Sequence, residues 1–218
     1  MDNPFPILAI ETSGDLCSAA VLLDANNFVE INHLQKNIHS EKLMEMIDIV
    51  INQGKISFNQ LAGIAISIGP GSFTGLRIGM SAVKGLAFAA NLPLIPVPTF
   101  DAFALQLSNG LAYNQKFNII INASIDDCYF AKYINENVNV KALNKLKLVD
   151  KNDLEKSICE EEINFGNVLM KSASINSAKL TASSIARWAY LFGKDLLTFD
   201  YDNLEPFYLK EFVGKVKT

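Results

Sequence analysis

Residues 68–79 constrain the fold more than any other stretch: Ile68-Gly69-Pro70-Gly71-Ser72-Phe73-Thr74-Gly75-Leu76-Arg77-Ile78-Gly79. Two glycines and a proline follow the apolar run Ile64–Ile68, so a short buried strand ends there in a tight loop. A helix is predicted to start at about Thr74 and to run to Ala90. The free N–H groups of such a helix start, with the positive end of its dipole, favour an anion. Ser72 and Thr74 can add hydroxyl donors and Arg77 a charge. A plain turn with Ser72 or Thr74 as N-cap satisfies the same pattern, and both readings stay open. The GK[ST] ending of a Walker loop is missing.

The helix carries a stripe of small residues, Gly75, Gly79, Ala82 and Gly85. Each glycine inside a helix costs about 1 kcal/mol relative to alanine, so the stripe needs an offsetting reason. Close approach of another backbone supplies one. That backbone belongs either to the chain's own sheet or first helix, or to a second subunit. On the second reading, Gly79→Leu blocks association and leaves the monomer folded.

The first half reads as strand, strand, strand, helix, strand, helix, strand. Ile7–Ile10, Cys17–Leu23 and Phe28–Ile31 are joined by turn-forming segments. Leu43, Ile47, Val50 and Ile51 recur at helical spacing, which predicts a helix over Ser40–Gln53 with Ser40 as N-cap and Gly54 as its stop. Leu94–Val97 closes this half. The second half repeats the outline more weakly. Strands are predicted over Phe117–Ala123 and Cys128–Tyr133, a further one near Val168–Met170, and a helix over Ser183–Phe192. The lobes divide at 1–104 and 105–218, with the boundary in the interrupted stretch 100–116. A meander followed by alternating helices and parallel strands, occurring twice, is the pattern of actin-like and sugar-kinase-like folds, an analogy that assigns no chemistry by itself.

Charge narrows the partners. The net charge is −4, with five Lys and Arg against nine Asp and Glu in residues 1–104, and fourteen of each in residues 105–218. Neither half has the basic footprint of a protein that grips phosphate backbone unaided. The three cysteines form no CxxC pair, which fits reduced thiols in a cytoplasmic protein. No basic-then-apolar leader opens the sequence, and no apolar run reaches the length needed to span a bilayer.

Few residues can carry chemistry. Glu11-Thr12-Ser13 forms a turn where an acid can hold a magnesium-bound water, or is simply a solvated turn. His33 and His39 are the two histidines; six apart, they lack the spacing of ligands on one helix face. Neither is marked as the base of a Ser/His/Asp set. Asp126 and Asp127 read as a hairpin turn, since neighbouring strand residues point to opposite faces.

Three segments together resemble the TsaB (YeaZ) family: Ile7-Leu8-Ala9-Ile10-Glu11-Thr12-Ser13 with His39-Ser40, the run Gly69–Gly79, and Lys84-Gly85-Leu86-Ala87. Pro206-Phe207-Tyr208-Leu209-Lys210 resembles the family's closing Pro-x-Tyr-Leu-Arg, with Lys for Arg. The resemblance covers about residues 7–104 firmly and is thin beyond. It implies an α/β, actin-like (ASKHA) fold of two similar lobes, each a mixed sheet flanked by helices. It implies a non-catalytic scaffold that activates a TsaD-like catalytic subunit, together with a TsaE-like ATPase, in making threonylcarbamoyladenosine on tRNA. The implied partner surface lies on the two helices of the first half, with Leu43, Ile47, Val50, Gly75, Gly79, Ala82 and Gly85, and the same surface makes a homodimer in isolation. Candidate phosphate contacts are Glu11, Thr12, Ser13, Gly71, Ser72 and Thr74. No cofactor is required by the chain alone, the partner interface is a candidate place for ATP or ADP with magnesium, and tRNA is met only within the complex. Two other classes remain: an actin-like ATPase or kinase acting alone, and a metalloprotease, for which the histidines are too few and wrongly spaced.

Overall fold

The computed structural model describes residues 5–35, 37–136, 139–159, 161–169 and 174–209. Its first sheet grows from the meander β1 (Ile7–Glu11), β2 (Leu16–Leu22) and β3 (Phe28–Leu34), followed by helix α1 (His39–Gln53), β4 (Gly63–Gly69), helix α2 (Phe73–Ala90) and β5 (Leu94–Pro98). The strand order is β3-β2-β1-β4-β5, antiparallel across β1–β3 and parallel across β1-β4-β5. Parallel pairing needs crossovers, and α1 and α2 supply them on one side of the sheet.

β1, β2 and β4 are buried on both faces, so they read as nearly unbroken apolar runs. Leu8, Ile10, Ile64 and Ile66 face α1 and α2. Ile7, Ala9 and Ala65 face the other way, onto helix α3 (Thr99–Ser108) and helix α4 (Ala182–Phe192).

The second sheet contains β6 (Lys116–Asn122), β7 (Asp127–Glu136), β8 (Asn139–Ala142), β9 (Lys147–Asp150), β10 (Ile163–Gly166) and β11 (Asn176–Ser177). Its order is β11-β10-β6-β7-β8, with β9 also on β7. Phe117, Ile119, Ala131 and Tyr133 pack on α3 and α4 from the opposite side, so one core joins both sheets. Two mixed sheets with helices between and outside them form the two-lobed, actin-like fold that the alternating pattern predicts.

Three expectations need correction. α3 occupies the stretch read as a boundary, because Phe100, Ala102, Phe103, Ala104 and Leu105 are buried almost all round and show no amphipathic stripe. α4 follows the second lobe in sequence but covers the first sheet; Ser18 Oγ accepts from Ala182 N (2.9 Å) and a Glu30 carboxylate oxygen from Ser183 N (2.7 Å). Among the described residues, the outer face of the second sheet is covered by a short 3-10 turn, Leu154–Ser157, and loops, over the small cluster Ile120, Cys128, Phe130 and Val168. The strand expected near Val168–Met170 falls instead at β10; Met170 lies outside the described residues. The Asp126–Asp127 hairpin is present, with Ser124 Oγ donating to Asp127 (2.9 Å).

From Thr198, which bridges to Leu94, the C-terminal segment runs back over the first lobe as far as Leu209.

Candidate functional site

Two places on the first lobe invite function: the turn at the end of β1, and the helical layer of α1 and α2. The turn is built by close packing. Ser72 N donates to Ser13 O (2.7 Å), which ties the β4–α2 loop to the β1–β2 turn. Gly71 is needed there, since a Cβ would lie 2.5 Å from Ser13 O. A Cβ at Gly75 would run into the Thr12 carbonyl oxygen, and one at Gly79 into the Thr12 hydroxyl. Ser72 caps α2, its Oγ accepting from Gly75 N (3.2 Å).

The stripe therefore divides. Gly75 and Gly79 are buried against the chain's own β1 turn, so their assignment to a partner surface is corrected. Gly85 is exposed, with nothing within 4 Å of its would-be Cβ, and Ala82 is half-buried. Leu43 (2% exposed), Ile47 (0%) and Val50 (0%) are likewise core residues, because the helical periodicity that marks them is the periodicity of burial.

Glu11 ends β1 at 1% exposure. One carboxylate oxygen accepts from Ser13 N; the other, Oε2, has no hydrogen-bond partner among the described residues. Burial pushes its pKa from 4.5 up to about 7, against the pull of Ser13 and Ser67. It faces a cavity of about 50 Å³ between the lobes, lined also by Ser13, Asp15, Pro70, Asn167 and Lys179. Small-molecule sites commonly measure about 300–1,000 Å³, and this space suits a few waters. Thr12 is fully buried with its side chain against α2, and Gly71, Ser72 and Thr74 do not line the cavity. Of the six residues expected at phosphates, only Glu11 and Ser13 meet there. The space beside Glu11 is too small for a nucleotide.

His39 opens α1 and lies buried beside the same turn, where desolvation lowers its pKa against the carbonyls of Leu16 and Gly14. His33 is on exposed β3, near Gln35. Among the described residues no three His, Cys, Asp or Glu side chains come together as a metal-binding group.

The outer side of the helical layer is different. Phe88 on α2 is 77% exposed, and Met44 and Ile49 on α1 are also exposed. Arg77, Ser81, Gly85 and Phe88, spaced four, four and three, lie along the outward line of α2. α2 has no acidic residue, while the exposed side of α1 bears Glu41, Glu45 and Asp48. Phe88 was legible in the sequence: it sits opposite the Leu76, Met80, Val83 and Ala87 side of its helix.

Comparisons with known proteins agree with this fold. The family described as TsaD, tRNA N6-adenosine threonylcarbamoyltransferase, matches residues 31–178. The Haemophilus influenzae tRNA threonylcarbamoyladenosine biosynthesis protein TsaB is 34% identical over 134 residues, which is 61% of this chain and 55% of that protein. The chain thus spans about half the length of that relative. The protein of the same name from Buchnera aphidicola subsp. Schizaphis graminum is 29% identical over 92% of this chain and 95% of its own length. The solved structure named YeaZ from Pseudomonas aeruginosa superposes with a TM-score of 0.77 at 19% identity, covering 94% of this chain and 99% of that one, and so matches it in fold.

Proposed function

We propose, since this chain belongs to the TsaD family and within it to the TsaB proteins, that it serves tRNA threonylcarbamoyladenosine biosynthesis as a docking subunit. The partner is a TsaD-like catalytic subunit, and the docking surface is the outward side of α1 and α2. The chain carries out no chemistry of its own. A TsaE-like ATPase and tRNA join it only in the assembled complex, since the net charge of −4 gives it little attraction for a polyanion.

The observation that carries this reading is Phe88. A phenylalanine 77% exposed beside an unfilled glycine exposes apolar area that a partner helix can bury. Burying one such side chain contributes roughly 1.5–3 kcal/mol. Around it, α1 is acidic and α2 carries only Arg77 and Lys84, so two copies related by a two-fold axis can set α1 of one against α2 of the other. The same surface therefore supports a homodimer when the catalytic subunit is absent.

Reconstitution tests the proposal. The TsaD-like and TsaE-like proteins of the same organism are mixed with ATP, threonylcarbamoyl-adenylate and tRNA. Adding this chain is expected to switch modification on. Modification that proceeds equally well without it contradicts the reading.

A further inference from the structure

We infer that the C-terminal segment is part of the docking surface: it fixes Arg77 in a pose ready for a carboxylate of the partner subunit. The inference rests on the docking reading above and adds to it a residue pair that sets affinity and specificity.

Two tyrosines seven residues apart grip α2 near its two ends. At the C-terminal end, Tyr201 Oη donates to the Leu92 carbonyl (2.7 Å) or to that of Ala87 (3.3 Å). The segment then passes the β4–α2 loop, where Phe207 N donates to Ile68 O (2.7 Å). A Cβ at Gly69 would lie 2.6 Å from the Phe207 carbonyl oxygen, so this crossing needs glycine. At the N-terminal end, Arg77 Nε donates to Tyr208 Oη (3.1 Å). The guanidinium sits 4.0 Å from the centre of the Phe73 ring and 5.9 Å from that of Tyr208, and the two rings are 4.9 Å apart. The Phe73 and Arg77 of the first-half motif and the Tyr208 of the closing motif thus form one contact, 131 residues apart in sequence.

Such a contact holds an exposed side chain still. A free arginine on a surface loses rotamer freedom when it binds; one already stacked on the Phe73 ring and tied to the Tyr208 hydroxyl loses less. Nε is used by Tyr208, and the planar fork still offers its terminal N–H groups, the geometry that a carboxylate accepts with two parallel hydrogen bonds. No ion pair among the described residues includes Arg77. A nucleic-acid phosphate fits the same fork, but the surroundings oppose it. Glu41, Glu45 and Asp48 stand on neighbouring α1, where Lys42 is engaged with Glu45 (2.8 Å). Their negative charge on the adjacent helix repels a polyanion far more than it repels a single carboxylate on an otherwise apolar partner helix. Arg77 also begins the outward line that ends at Phe88, so one partner helix can meet both.

The test is calorimetric titration of the full-length chain with the TsaD-like subunit at low and high salt. Tyr208→Ala is expected to weaken binding about tenfold, a size typical of losing one well-placed charged contact. Arg77→Ala should weaken it at least as much and flatten the salt dependence. Arg77→Lys, which keeps charge and loses the fork, should not restore it. The double variant should bind no worse than Arg77→Ala, because the two side chains act as one unit. Tyr208→Phe keeps the ring and removes only the hydrogen bond, so it gives a milder loss should Tyr208→Ala disturb folding. Unchanged affinity in Tyr208→Ala and Arg77→Lys, with binding lost in Phe88→Glu, overturns the Arg77 inference and leaves the docking surface standing. A wild-type chain that does not bind at all overturns both.

Discussion

The two sides of α2 are made of similar residues and do opposite things. Facing inward, Gly75 and Gly79 let the helix settle onto the β1 turn, where Thr12 fills the space that side chains would occupy. Facing outward, Gly85 borders nothing and Phe88 stands in the open. A glycine in a helix thus has two explanations, close packing at home or a smooth surface for a visitor, and the difference lies in what meets its missing Cβ. The inward side fixes the fold. The outward side is left for another molecule.

Substitutions on the inward side should give the largest effects. Gly79→Leu drives a side chain into Thr12 and is expected to destabilise the fold by about 3 kcal/mol, at the upper end for overpacking. Chemical denaturation measures it; a stable monomer that merely fails to associate would return Gly79 to the partner surface, as the sequence alone suggests.

Glu11 sharpens the same side through pH. Its pKa in the folded chain, about 7, lies above the ordinary 4.5, so the folded state holds the proton more tightly than the unfolded one. The carboxyl's contribution is therefore most favourable below about 4.5 and is lost as pH rises through 7, a difference of roughly 3 kcal/mol. Glu11→Gln should flatten stability between about pH 5 and about pH 8. An equally steep loss in the variant would assign the slope to another group. The narrow cleft makes a companion expectation: titrating Mg-ATP into the isolated protein yields no binding heat, and saturable binding would revive the stand-alone ATPase.

The smallest effect belongs outside. Gly85→Ala has room for its methyl and should stabilise the helix by about 1 kcal/mol. A melt showing destabilisation would mean that the site is packed in solution.

Legibility in the sequence follows the same division. β1, β2, β4 and the two outer helices were readable because strands buried on both faces give continuous apolar runs and surface helices give a 3.6-residue period. α3 was not, since a helix between two sheets is apolar all round. The place of α4 was hidden for another reason: Ser18 and Glu30, which hold its N-terminus, lie more than 150 residues away. At the candidate site, the motif at 69–79 was visible but its roles were not. Burial periodicity picked out Leu43, Ile47 and Val50 as contacts when it marks them as core. Tyr208, half-buried and 131 residues from Arg77, has no period of its own and emerges only from the packing.

Sedimentation velocity of the chain with the TsaD-like subunit, wild type against Phe88→Glu, tests the outward side most directly. The account predicts a one-to-one complex with the wild type and, for a variant that remains folded, separate species that do not associate. A Phe88→Glu chain that forms the complex with undiminished affinity would contradict it.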